Sequence, residues 1–153
     1  MNFSNKIILG TVQLGLDYGI NNQSGKIDPQ AAEKILQLAW ESGISMLDTS
    51  HGYGESEIII GQIAKKRNFN FKVISKYPQN TGNVKEIFED SLIRLQATHL
   101  YGYLVHHFSA IKQNPALWDD FMALKKNGKV EKTGFSLYAP VELDYLFDKD
   151  ILF

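Results

Sequence analysis

The run ISMLDTSHGYGESEIIIGQIAKK, residues 44–66, contains a strand, a turn and a helix in that order. Ile44 to Asp48 is short, apolar and closed by a carboxylate, as a buried strand would be. Glu55 to Lys66 places Ile59, Ile60 and Ile63 on one face of a helix. Between them, Gly52 and Gly54 punctuate a turn that holds Tyr53.

The same unit recurs on both sides. Upstream, Lys6 to Thr11 reads as a strand and Gly15 to Lys26 as a polar loop. Asp28-Pro29 then supplies an N-cap and a proline at the first helical position. Ala32, Ile35, Leu36 and Ala39 recur at helical spacing until Gly43 stops the helix. Downstream, Phe71 to Lys76 is a strand, and Asn83 with Glu86 opens a helix striped by Val84, Ile87, Phe88, Ser91, Leu92 and Leu95. Leu100 to His106 is a strand, Pro115 to Asn127 a helix capped by Gly128, and Lys129 to Ser136 a fifth strand. Val141 to Phe147 reads as a short helix, and Asp150 to Phe153 as a sixth strand beginning.

Strands alternating with amphipathic helices specify a parallel α/β sheet with right-handed crossovers. An open doubly wound sheet and a (β/α)8 TIM barrel both satisfy that pattern. Thr11-Val12-Gln13-Leu14-Gly15 after the first strand is not a G-x-G-x-x-G turn, and the sequence holds no P-loop, which weighs against the nucleotide-binding open sheets. A full barrel takes about 250 residues. These 153 residues therefore read as one domain, 1–153, of about five βα units: an incomplete barrel. Unpaired edges and an open apolar face in such a sheet would template association, so a homo-oligomer, most simply a dimer, is expected.

Composition narrows the function classes. Sixteen basic against seventeen acidic residues give a net charge of −1, with no basic cluster for nucleic acid. Cysteine is absent, which removes disulfides, thiol catalysis and Cys-ligated zinc and fits a reducing, cytoplasmic setting. No apolar run approaches the length of a membrane span, and Met1 to Gly10 lacks the apolar core of a secretory signal.

In parallel α/β proteins the chemistry gathers where strands end. Here those ends carry Asp48, Lys76 and His106-His107, with Tyr53 five residues beyond the carboxylate. An ammonium about 4 Å from a phenol would stabilise the phenolate by ~1–4 kcal/mol and lower the tyrosine pKa. Asp48 would hold that ammonium in place. His106 and His107 should face opposite ways, because side chains alternate along a strand. Each residue also has an ordinary reading: Tyr53 as a turn aromatic, Asp48 as a cap, Lys76 as a solvated strand end. A metal site from His51, His106 and Asp48 is a further alternative, without metal-binding spacing to support it.

Six ordered segments resemble the aldo/keto reductase family: Leu9-Gly10-Thr11; Asp48 through Glu57; Ser75-Lys76; Ser91-Leu92-Ile93-Arg94-Leu95 with Tyr103-Leu104-Val105-His106; Gly128-Lys129-Val130; and Thr133-Gly134-Phe135-Ser136. The resemblance implies a catalytic group of Asp48, Tyr53, Lys76 and His106. It also implies a nicotinamide cofactor, usually NADPH, met by Gly10, Thr11, Asp48 and Ser136, and a small-molecule carbonyl substrate. The family often follows the Ser136 position with Asn, where this chain has Leu137. It resembles only the first half of the family's barrel, so a folded, self-associating but non-catalytic remnant stands beside the reductase as the alternative function.

Overall fold

The computed structural model describes residues 6–23, 25–78, 82–149 and 151. Among these residues five parallel strands form one sheet: β1 (Leu9–Gly10), β2 (Met46–Asp48), β3 (Lys72–Tyr77), β4 (Leu100–Val105) and β5 (Val130–Phe135). Their spatial order is β1-β2-β3-β4-β5, the same as their order along the chain. A doubly wound sheet reverses direction at a switch point. This one never reverses, so right-handed crossovers stack all its helices on one side, as in a (β/α) barrel.

The helices between strands follow their caps. In α2 (Pro29–Glu41), Asp28 Oδ1 accepts the N–H groups of Gln30 at 2.9 Å and Ala31 at 3.0 Å. In α4 (Val84–Leu95), Asn83 Oδ1 accepts those of Lys85 and Glu86 at 2.8 and 3.3 Å. These side chains satisfy donors that the first turn leaves orphaned. The remaining main helices are α3 (Ser56–Arg67), α6 (Leu117–Lys126) and α7 (Pro140–Asp148). Outward strand residues meet them in an aromatic layer, where Tyr103 sits edge-on to Phe88 and stacks on Phe121, and Trp118 stacks on Phe121 and Phe135.

Two single-turn or short helices were not expected. Val12–Gly15 forms α1 inside what reads as strand end and loop, and Phe108–Gln113 forms α5 after β4. Too few residues lie in either for a periodic stripe to register. The first strand is also shorter than its apolar run, since Ile7 and Ile8 are half-exposed and outside it. β3 runs one residue past Lys76 to Tyr77, and β4 ends at Val105 rather than His106. The start of a sixth strand at Asp150–Phe153 lies outside the described residues except for Ile151, which is buried and not in a strand. Among the described residues no helix is long and apolar enough to cross a membrane.

Gly61 on α3 sets how closely α3 approaches α4. A Cβ there would lie 2.4 Å from Arg94 O and 2.7 Å from the carbonyl carbon of Leu95, both backbone atoms that cannot swing aside. Gly61→Ala should therefore destabilise the protein by ~1–3 kcal/mol, the usual cost of overpacking, read as a lower urea midpoint at unchanged slope.

Candidate active site

Register decides which side chains meet. Asp48 pairs with Ile74 and Lys76 pairs with Leu104. Side chains repeat every two residues along a strand. Lys76 therefore shares the face of Ile74 and Asp48, and His106, two residues past Leu104, continues that face beyond the end of β4. Three successive strands deliver a carboxylate, an ammonium and an imidazole as a staircase along one side of the sheet.

Lys76 is buried, its side chain only 6% exposed, and Asp48 lies nearer the surface at 35%. The ammonium forms an ion pair with Asp48 Oδ1 and donates to the Thr49 carbonyl at 3.0 Å. It also stands 5.2 Å from the centroid of the Tyr53 ring. Tyr53 in turn meets His106 edge to face, with centroids 5.5 Å apart. All four residues implied by the family resemblance are thus brought together.

Tyr53 reaches this place through a tightly held turn. Its N–H donates to Ser50 O at 2.9 Å, and its carbonyl accepts from Ser56 N at 3.0 Å. α1 packs directly against this turn, and a Cβ on Gly15 would fall 1.7 Å from Tyr53 O. Only glycine permits that approach. Below the turn, Ser56 Oγ donates toward Thr11, 2.9 Å from its carbonyl and 3.0 Å from its hydroxyl, and lies 3.1 Å from Thr49 Oγ1. Thr11 Oγ1 donates to Asp48 O at 2.9 Å. These buried hydroxyls lock the ends of β1 and β2 to the start of α3.

The residues implied for the cofactor separate into two kinds. Gly10 faces open space, since a Cβ there would meet nothing within 4 Å. Asp48 is partly exposed and Ser136 half-buried, its N–H donating to Val105 O at 2.9 Å. Thr11 is buried, and its hydroxyl is engaged inside the protein. It acts on the site by holding Asp48.

Electrostatics differ from the sequence expectation at Tyr53. Burial first, and then the Asp48 carboxylate and the phenols of Tyr138 and Tyr18, push its hydroxyl up to about 12. The expected lowering is reversed because burial of the phenol dominates, and the Asp48 carboxylate that pairs with Lys76 adds to the rise. Tyr53 is therefore held protonated. His106 moves the other way, down to about 4, through burial and then the neighbouring His107 and Lys76, against the opposing pull of Asp48. It is a neutral imidazole at pH 7.

The two histidines do not face opposite ways. Their rings stack with centroids 4.6 Å apart. Strand alternation stops at Val105, and His107 is already the cap of α5. His51 turns away from His106, its Nε2 lying 2.9 Å from Asp90 Oδ2. His99 is exposed at the far end of β4.

A second layer behind the site was not read from the sequence. Glu57, fully buried, accepts from Ser75 Oγ at 2.6 Å, and burial raises its carboxyl above the ordinary range. Arg94 on α4 lies 4.0 Å from Glu57 Oε2, bonds Asp90 Oδ2 at 2.8 Å and donates to Gly54 O at 3.3 Å. It fastens the Tyr53 turn to α4. The available signal was a glutamate on the inward face of a helix, which implies a paired partner.

A sheet built of successive β/α units, with a carboxylate, ammonium and imidazole at its strand ends and a phenol in the turn after β2, places the protein in the (β/α)-barrel class. The aldo/keto reductase family model matches residues 6–151, and the chain belongs to that family. Curated relatives include the uncharacterized oxidoreductase YrpG of Bacillus subtilis, 27% identical over 88% of this chain and 46% of its own. The chloroplastic pyridoxal reductase of Arabidopsis thaliana is 29% identical over 76% of this chain and 37% of its own. Among solved structures, PA4992 from Pseudomonas aeruginosa, assigned as an aldo-keto reductase, superposes with a TM-score of 0.71 at 29% identity, covering 84% of this chain and 54% of that one. An aldo/keto reductase from Klebsiella pneumoniae, solved with NADP and acetate, gives 0.69 at 22% identity over 92% of this chain and 48% of that one. The chain spans about half the length of the curated relatives it matches.

The low pKa of His106 has a consequence for stability. In the unfolded chain an imidazole takes up its proton from about pH 6.5 downward, whereas folded His106 resists until about 4. Its contribution is complete above about pH 6.5 and is lost as the pH falls through that window, because the unfolded state binds the proton first. Urea denaturation at stepped pH should show stability declining between these values, with a shallower decline in His106→Gln. Parallel declines would mean that His106 titrates normally.

Proposed function

We propose that this chain carries out the chemistry of an NAD(P)H-dependent carbonyl reductase, converting an aldehyde or ketone to an alcohol. The observation that supports this most directly is a protonated Tyr53 edge-on to a neutral His106 and beside the Lys76–Asp48 pair.

A nicotinamide cofactor would supply a hydride to the carbonyl carbon. The chain's own residues handle what that leaves behind. As the C=O π pair moves onto oxygen, an alkoxide forms, and Tyr53 gives it the phenolic proton. A phenol held at about 12 keeps its proton at neutral pH, yet it is a far stronger acid than an alcohol. The ammonium of Lys76 then faces the new phenolate, which solvent reprotonates. His106, uncharged, polarises the carbonyl by hydrogen bonding without competing for the proton.

Fit to the cofactor follows from the strand ends. Gly10 faces open space beside Asp48 at one edge of the sheet, Ser136 stands past the end of β5 at the other, and these groups would meet the nicotinamide end of NADPH, the form we assign. The Klebsiella relative solved with NADP supports this assignment. Leu137, where an amide often stands in the family, leaves Ser136 alone to meet the carboxamide.

Tyr53→Phe should keep the fold and lower NADPH-dependent carbonyl reduction by ~10²–10⁴-fold, the usual worth of a positioned general acid. Calorimetry should show saturable NADPH binding to the wild-type chain and to this variant alike. Turnover unchanged in the variant would remove Tyr53 from the role of proton donor, and absent NADPH binding would leave the folded but non-catalytic reading.

Among the described residues β1 and β5 each pair with a single neighbour. We assign these edges and the sheet's open face to a second copy of the chain. Sedimentation at micromolar concentration should give twice the mass of one chain, and a monomer would overturn the assignment.

A further inference from the structure

Ser50 follows Asp48 and Thr49 at the top of β2 and is completely buried. Its hydroxyl oxygen accepts the N–H of Gly52 at 3.1 Å. It lies 3.0 Å from His106 Nδ1 and 3.3 Å from the Lys76 carbonyl oxygen. A serine has one hydroxyl proton to place, and two acceptors compete for it here.

Distance and occupancy decide between them. Hydroxyl-to-oxygen bonds run from about 2.5 to 3.0 Å, so the Lys76 carbonyl is beyond good range. That carbonyl also accepts the N–H of His51 at 3.3 Å. The imidazole nitrogen is nearer and, on a neutral ring, offers a lone pair on one of its two nitrogens. If Nδ1 carried the hydrogen instead, Ser50 Oγ would accept two N–H groups and spend its own proton on the long contact.

We propose that Ser50 is a positioning residue: its hydroxyl donates to His106 Nδ1 and fixes the imidazole as the Nε2–H tautomer. The nitrogen directed away from Ser50 is then a donor. The purpose of that arrangement rests on the reductase reading, since a carbonyl oxygen needs a donor and is repelled by a bare nitrogen lone pair. The hydrogen bond itself does not rest on it. Second-layer partners fix histidine tautomers in the same way at metal centres and in catalytic triads.

Long-range proton–nitrogen correlation on the ¹⁵N-labelled chain at pH 7 reads the tautomer directly, with the His106 signals assigned by their loss in His106→Gln. The wild type should show a protonated Nε2 and a bare Nδ1. In Ser50→Ala the two nitrogen signals should move toward each other as tautomers exchange, and Ser50→Thr should restore the separation. With NADPH and a carbonyl substrate, Ser50→Ala should lower kcat roughly tenfold and leave the KM for NADPH unchanged.

A protonated Nδ1 in the wild type overturns the proposal, as do His106 signals unmoved in Ser50→Ala. If Ser50→Ala does not fold, the wild-type spectrum and Ser50→Thr still decide the matter. An Nε2–H spectrum in a chain without reductase activity removes the reductase reading and keeps the hydrogen bond. An active chain with an Nδ1–H spectrum removes this inference alone.

Discussion

A lysine ammonium that is nearly excluded from water must be paired, because removing the charge from solvent costs several kcal/mol even after the surroundings relax. Lys76 meets that demand with the Asp48 carboxylate and the Thr49 carbonyl. Much of the site follows from it. The end of β2 must stand beside β3 in the register that aligns Asp48 with Ile74. Thr49 must present its carbonyl inward, which begins the turn that brings Tyr53 over the ammonium. There the phenol is buried beside the Asp48 carboxylate, and both hold its proton on, so it remains an acid.

The hydroxyl groups around this pair give it rigidity. Ser56 links Thr11 to Thr49 beneath the turn, and Ser50 links the turn to His106. Buried hydroxyls are costly when unpaired and stiffening when paired. Their concentration here holds β1, β2, α3 and the loop after β4 to one geometry.

Much of the fold could be read from the sequence because its elements are long or chemically marked. Asp28 with Pro29 and Asn83 with Glu86 announce α2 and α4, and the apolar runs announce β3 to β5. α1 and α5 are too short to show periodicity, and both arise from how the neighbouring strand ends. The polar groups that gather around Lys76 stand out in the sequence, three at strand ends and Tyr53 in the glycine-flanked turn, aided by family resemblance. What the sequence lacked was the company each keeps. The proton affinity of Tyr53 depends on its burial and on the Asp48 carboxylate nearby, and the stacking of His106 on His107 depends on β4 ending one residue early. Thr11 had to be seen in place before its hydroxyl could be assigned to Asp48 O.

Because each described strand pairs only with its neighbours in sequence, the site is built up by successive strand–helix–strand crossovers. Asp48 and Lys76 are 28 residues apart, and Ser50 and His106 are 56 apart. Loop-closure entropy grows only slowly with chain length, so doubling the separation from the first contact to the second adds only about 0.6 kcal/mol. His106 is the last of the four site residues along the chain, so every member of the group has been synthesised once the chain has passed the end of β4.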